Sequence, residues 1–186
     1  MFGARVSVLS DIIDSSPTPV GPPNQPFPAR WSDALISSPS LPENGGQSYT
    51  SYALAQQSRL NVVYVGANDG YLHGFRAGSF DANGNFVSGG STPNDGYEVL
   101  AYMPGAVVNT IHNPTNPALD YANIQYGHNF FEDATPGNGD LFYGGLWHTW
   151  IVGGLGPGGS AIFALDVTNP STAFTEANAA SVVIGE

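Results

Sequence analysis

The chain contains no cysteine, which excludes disulfide staples, zinc–thiolate sites and cysteine nucleophiles. It contains no lysine either: its basic side chains are Arg5, Arg30, Arg59 and Arg76. The lysine-to-asparagine crosslinks that brace some extracellular proteins are therefore out of reach. Against these four stand 15 carboxylates, for a formal charge of −11. Such a surface repels phosphate backbones and anionic lipid, so nucleic acid is not an expected partner and a cation is a better one. No apolar run approaches the roughly 20 residues of a membrane helix. The opening MFGARVSVLSD also lacks the apolar stretch of a signal peptide. Export would need a signal upstream and would make the chain a fragment of a longer protein. What is present is 41% hydrophobic and 10% charged, with 24 Gly and 15 Pro in 186 residues, the composition of a turn-rich, all-β globular chain.

Strand-forming residues recur in short runs. Residues 6–20, VSVLSDIIDSSPTPV, begin as a strand that Pro17 and Pro19 confine to a sheet edge, because proline donates nothing to a central ladder. GPPNQPFPARW, residues 21–31, holds four prolines and reads as an extended crossing. In residues 43–58, Tyr49, Tyr52, Ala53 and Gln56 fall at helical spacing behind Ser48 as N-cap; this is the one helix the pattern predicts. VVYVG and YLHGF flank Asn68-Asp69-Gly70 and read as a hairpin. Tyr71, His73 and Phe75 take one face, Leu72, Gly74 and Arg76 the other. Turn chemistry accounts for the tripeptide, through a type I turn with a bulge. Residues 98–104 form a third strand.

The order then recurs: TWIVGG is a strand, Gly153, Gly154 and Gly156 belong to a glycine turn, SAIFALDV alternates again and SVVIGE closes the chain. The units correspond at Val65-Gly66 and Val152-Gly153, about 85 residues apart against the roughly 40–50 of a simple blade repeat. Each therefore carries a large insertion: the proline segment and helix in the first, NPTNPALDYANIQYGH in the second. Repeated four-stranded antiparallel units indicate a β-propeller, which needs at least about four blades to close. The expected architecture is all-β: a partial propeller of about two quinoprotein-type blades, with loop insertions and one short helix. Residues 1–104 and 105–186 are the blade units of a single fragment.

YVGANDGYLHGF, HNFFEDATP and WIVGGLGPGGSAIFALDVTNP, preceded by SVLSDIIDSSPTPVGPP, resemble in this order the C-terminal propeller of the PilY/PilC family. The resemblance covers nearly the whole chain, with Ser10 where a glycine is usual. It implies a non-enzymatic segment of a secreted type IV pilus assembly factor and adhesin, one that supports pili against retraction and contacts host surfaces. The partners it implies are pilus-tip or minor pilin proteins or a host-surface receptor, together with the remaining blades. The location it implies is the pilus tip or outer cell surface, reached through the periplasm. Calcium regulates some members through an Asp-rich loop after a later blade; nothing in this chain matches that loop, so calcium belongs to the parent protein. The same blade type also builds quinone-dependent dehydrogenases, which is the alternative reading. A third is an incomplete product with no separate function, whose unpaired edges favour self-association.

Several residues are candidate sites. Asp81, Asn83 and Asn85 begin a calcium-loop pattern, but Gly84 comes too early and Thr92 stands where a bidentate acid belongs. The simpler reading is an Asn-Gly hairpin tip. His73, His112, His128 and His148 show no metal-ligand spacing, and the 153–159 glycine run lacks the lysine and helix of a phosphate loop. No serine sits in a nucleophile elbow. Asp133 and Asp166 follow strand-like runs, where a carboxylate accepts backbone N–H bonds from the next turn. Tyr97, Tyr102, Tyr121, Tyr126 and Trp147 offer flat rings for a sugar or protein partner, set against simple coverage of blade edges.

Overall fold

The structure, a computed structural model, describes residues 9–35 and 41–186. In the first half the strands are β1 (Thr18–Val20), β2 (Val62–Gly66), β3 (Leu72–Arg76), β4 (Ser79–Phe80), β5 (Phe86–Val87) and β6 (Glu98–Tyr102). In the second half they are β7 (Gly137–Tyr143), β8 (Leu146–Gly154), β9 (Ile162–Asp166) and β10 (Val183–Gly185). Two four-stranded sheets result, in the orders β1-β2-β3-β6 and β10-β9-β8-β7, with a separate β4-β5 hairpin. All pairs are antiparallel. Each sheet is a meander in chain order, so β1 corresponds to β7, β2 to β8, β3 to β9 and β6 to β10. The sheets pack face to face without closing into a ring, as in a partial propeller.

Alternation decides which faces meet. Pairing of Tyr64 with Gly74 and of Gly66 with Leu72 puts Val62, Tyr64 and Leu72 on one side of the first sheet. Pairing of Ile151 with Leu165 and of Gly153 with Phe163 does the same in the second. These side chains, with Val20, Leu60, Val167 and Val182, form one buried cluster between the sheets; each large member contributes about 1.5–3 kcal/mol by leaving water. Gly153 belongs to this packing. A Cβ there would collide with the Phe163 ring, so the glycine makes room for an aromatic on the neighbouring strand.

The structure corrects several expectations. Gly153 and Gly154 lie in β8, paired with Phe163 and Ile162, rather than in the turn. Of these three glycines only Gly156, at φ +60, has the left-handed backbone that needs glycine. Of the expected entering strand, residues 6–8 lie outside the described residues and only Thr18–Val20 is strand. Residues 9–16 give their N–H groups to side chains instead: Ser10 to Asp69, Ile13 and Asp14 to Asp133, Ser16 to Thr135. FFED, residues 130–133, is irregular. Five α-helices, besides three single-turn 3-10 segments, occur among the described residues rather than one helix. The expected one is α2 (Tyr49–Ala55), capped by the Ser48 hydroxyl, which accepts from Ser51 N at 3.2 Å. The others are α1 (Pro42–Gly45), α3 (Gly105–Val108), α4 (Pro170–Ala173) and α5 (Ala179–Val182), four residues each and too short to show a 3.6-residue period.

Candidate functional site

At the β2–β3 end of the sheets, three segments distant in sequence meet: residues 9–16, the 67–71 turn and the 128–136 loop. Gly70, at φ +90, supplies the left-handed position of the turn, and its N–H donates to Ala67 O at 3.0 Å. Asn68 and Asp69 do more than turn chemistry requires, for both are buried and their side chains hold other segments. Asn68 Nδ2 donates to Asp11 Oδ2 at 3.1 Å, and Asn68 Oδ1 accepts from Phe131 N at 3.1 Å. Asp69 Oδ2 accepts from Ser10 N at 3.2 Å, and Oδ1 meets His73 Nε2 at 3.1 Å. His128 Nε2 closes the seam on Asp11 Oδ2 at 2.7 Å.

His73 sits between two acids, its Nδ1 bonded to Glu98 and its Nε2 to Asp69. Burial pushes the imidazole down, but the hydrogen bonds to Asp69 and Glu98 outweigh it and hold the histidine above its ordinary value. Burial likewise pushes Asp69 up, and the bonds from His73, Ser10 and Tyr71 outweigh it and hold the carboxyl low. The remaining histidines pair the same way: His112 with Asp120 at 3.0 Å and His148 with Asp166 at 2.7 Å. Histidine–carboxylate pairing is thus the rule here, joining residues from four to 117 positions apart.

Asp133 Oδ1 accepts backbone N–H from Ile13 at 3.3 Å and Asp14 at 3.1 Å. The donors are not in the next turn but about 120 residues earlier. Asp166 does bond its own turn, accepting from Thr168 N at 2.9 Å. Beside Asp133, Glu132 is 0% exposed, and neither of its oxygens has a hydrogen-bond partner among the described residues. It lies against Gly66, where a Cβ would come within 2.6 Å of Glu132 O and 3.0 Å of Oε1. Burial, then the Asp133 charge, pushes this carboxyl up to about 8. Sequence reasoning singled out Asp133 and passed over Glu132, although two adjacent acids inside an aromatic run were the available signal.

The candidate cation loop sits at the tip of the β4–β5 hairpin, where an Asn-Gly turn is the simpler reading of the sequence. Asp81 Oδ1 accepts from Asn83 N and Asn85 N, both at 2.8 Å, and Oδ2 from Asn85 Nδ2 at 3.0 Å. The carboxylate is thereby spent on folding the turn, and the Asn85 amide presents its nitrogen to it. Among the described residues no group of three or more His, Asp or Glu side chains is arranged to hold a metal ion. The aromatic residues separate. Tyr97 is 65% exposed, with Arg76 over its ring at 4.8 Å. Tyr102 packs on Phe163, and Tyr121 and Tyr126 pack on each other. Trp147 is buried in a cluster with Phe27, Trp31, Tyr49 and Phe142.

This cluster fastens the first insertion to the second sheet. Tyr52 Oη and Thr149 Oγ1 share a hydrogen bond of 2.6 Å, Arg59 Nη1 donates to Thr149 Oγ1 at 2.8 Å, and Thr149 donates to Asp140 at 2.6 Å. No helix among the described residues is long and apolar enough to cross a membrane.

Comparison with known proteins gives a consistent set of relatives. The family model described as the PilY1 beta-propeller domain matches residues 9–184. Type IV pilus biogenesis factor PilY1 of Pseudomonas aeruginosa strain PAO1 is 39% identical over 171 residues, 91% of this chain and 12% of that protein. A PilY1 homolog of Xylella fastidiosa strain Temecula1 is 34% identical over 168 residues, 90% of this chain and 11% of the homolog. The crystal structure of the Pseudomonas aeruginosa PilY1 C-terminal domain aligns with a TM-score of 0.47 at 32% identity, covering 83% of this chain and 23% of that one. The chain thus spans about an eighth of the length of the curated relatives it matches.

Proposed function

Because the chain belongs to the PilY1 beta-propeller domain family, we propose that it is a two-blade, non-catalytic segment of a type IV pilus biogenesis factor. The observation that carries this reading is the extent of the match, which runs through both sheets and both insertions at residues 9–184. A hairpin common to many propellers would have matched only one blade. The relatives are named for pilus biogenesis, which favours this reading over the quinone-dependent dehydrogenase.

In this proposal the parent protein acts outside the cell, at the pilus tip or outer surface, after passage through the periplasm. It stabilises pili against retraction and mediates surface attachment, with tip or minor pilin proteins, or a host-surface receptor, as partners. The remaining blades are the nearest neighbours. The outward face of the second sheet supports this: Val152 and Ile162 are 44% and 71% exposed and lie beside Trp150 and Ile184. A continuous apolar face of this kind suits a neighbouring blade. Asn68, Asp69, Asp133 and Asp166 serve in this reading as structural residues of the blade corners, and calcium, where the parent uses it, is bound elsewhere. The test is deletion of the parent gene, with piliation scored in the presence and absence of the retraction motor. Loss of pili that is reversed when retraction is blocked supports the proposal; unchanged piliation with unchanged adhesion overturns it.

A further inference from the structure

At the opposite end of the sheets from the loop seam, the β7–β8 turn, the end of β9 and the α2 region enclose a cleft of about 450 Å³. This lies within the roughly 300–1,000 Å³ usual for small-molecule sites. Tyr143 on its wall is 40% exposed and stacks on His148, ring centroids 4.0 Å apart and planes 21° apart. His148 Nδ1 is fixed on Asp166 Oδ2 at 2.7 Å, so the imidazole is oriented and its Nε2 makes no hydrogen bond to the described residues. Two amides in the cleft are each half used. Gln47 Oε1 accepts from Trp147 N at 3.1 Å, and Gln56 Nε2 donates to Asn169 Oδ1 at 3.2 Å.

What is left over defines a ligand. The Gln47 and Asn169 NH₂ groups donate and the Gln56 carbonyl accepts; His148, its Nδ1–H given to the Asp166 carboxylate, backs the Tyr143 ring and leaves Nε2 of the neutral imidazole as an acceptor. The Asp166 carboxylate is already engaged by His148 and Thr168 N. No arginine lines the cleft and the chain carries −11, so a phosphate, sulfate or carboxylate meets no counter-charge. A wholly apolar ligand would leave the amides unpaired, which costs affinity. The remaining class is neutral, rich in hydroxyls that both donate and accept, and carries one C–H-lined face for the Tyr143 ring.

We propose that this cleft binds a neutral hexose residue, with the Tyr143 face not taken by His148 against its apolar face and Gln47, Gln56 and Asn169 on its hydroxyls. The inference deepens the attachment part of the proposed function and rests on that reading for its biological meaning; its geometry stands apart from it. The test is an NMR titration of the whole chain with methyl glycosides of galactose, glucose and mannose and with N-acetylglucosamine. Glucuronate and sialic acid serve as the anionic counterparts. At least one neutral sugar is expected to bind with a millimolar dissociation constant, as suits so small a ligand, moving resonances of Gln47, Tyr143, His148 and Asn169. Tyr143→Ala and, independently, Gln56→Ala should each weaken binding roughly tenfold with the rest of the spectrum retained. The proposal is overturned if no neutral sugar moves these resonances at about 50 mM, if neither variant weakens binding, or if the anionic sugars bind as well. Pili lost on gene deletion with no sugar response would sink this inference alone; a localised sugar response with unchanged piliation would sink the pilus reading alone.

Discussion

Replacing Glu132 by glutamine keeps its volume and removes its ionisation. In the folded chain the carboxyl has no hydrogen-bond partner for either oxygen among the described residues and is held at about 8, against an ordinary value of 4.5. Between those limits the folded state holds a proton that the unfolded state releases. Stability therefore falls as pH rises through this window, by up to about 1.4 kcal/mol per pH unit, and levels off above it. The accumulated loss by pH 8 is on the order of 3–5 kcal/mol, an amount comparable with a large fraction of a domain's net stability. Glu132→Gln removes that slope. The variant should match the parent chain near pH 4.5 and exceed it progressively up to pH 8, by about 10 °C in Tm at roughly 2–4 °C per kcal/mol for a chain of this size. Other groups titrate too, His73 included, but they are common to both proteins and cancel in the difference. Urea or thermal melts of both proteins at half-unit steps measure it. An amide that packs badly would add a constant offset, so the slope is the diagnostic. A difference independent of pH would refute the assignment of Glu132 as a buried, uncompensated acid.

Two further substitutions probe the same architecture. Asp166→Ala removes the acceptor of both His148 Nδ1 and Thr168 N; a loss of about 1–3 kcal/mol is expected, read as a lowered Tm, and an unchanged melt would count against a corner-fixing role. Gly66→Ala places a Cβ within 2.6 Å of Glu132 O and 2.9 Å of its Cγ. The clash is with backbone as well as side chain, so urea unfolding should show about 1–3 kcal/mol of destabilisation, and an unaltered midpoint would mean that the seam yields freely.

Local pattern made the central strands legible. VVYVG and YLHGF alternate β-branched and aromatic residues, and their faces fall as the period of two requires, with Tyr71, His73 and Phe75 in ring contact along one side. Ser48 ahead of tyrosines at i and i+3 marked α2 for the same reason. β7 escaped because its sequence, GNGDLFY, carries two glycines. Its extended form is imposed by β8, against which all seven residues pair. Gly153 reads in the sequence both as the end of the TWIVGG strand and as part of a glycine turn, because glycine signals a turn locally; in the structure it belongs to β8 and answers to the Phe163 ring across the ladder. The seam was the least legible part. The partners of Asn68, Asp133 and His128 lie 57 to 120 residues away, and no window of sequence contains both ends of such a bond.

The two insertions explain how a pair of blades holds together without a closed ring. The first lies between β1 and β2 of the first sheet, yet its Tyr49, Tyr52 and Arg59 bond to Asp140 and Thr149 of the second. The second insertion and the loop that carries it into β7, residues 113–136, do the converse: the Phe131 N–H donates to Asn68 in the first sheet's hairpin turn, and Asp133 accepts from the segment that leads into β1. Each insertion thus crosses to the other blade, one at each end of the sheets, and the apolar cluster between the sheets is clamped from both ends. In a closed propeller, ring closure restrains every blade against its neighbours. Here the restraint at this one junction comes from crossed polar contacts, which are directional and so fix the angle between blades as well as their separation. That geometry places the histidine seam at one end of the sheets and the Tyr143 cleft at the other.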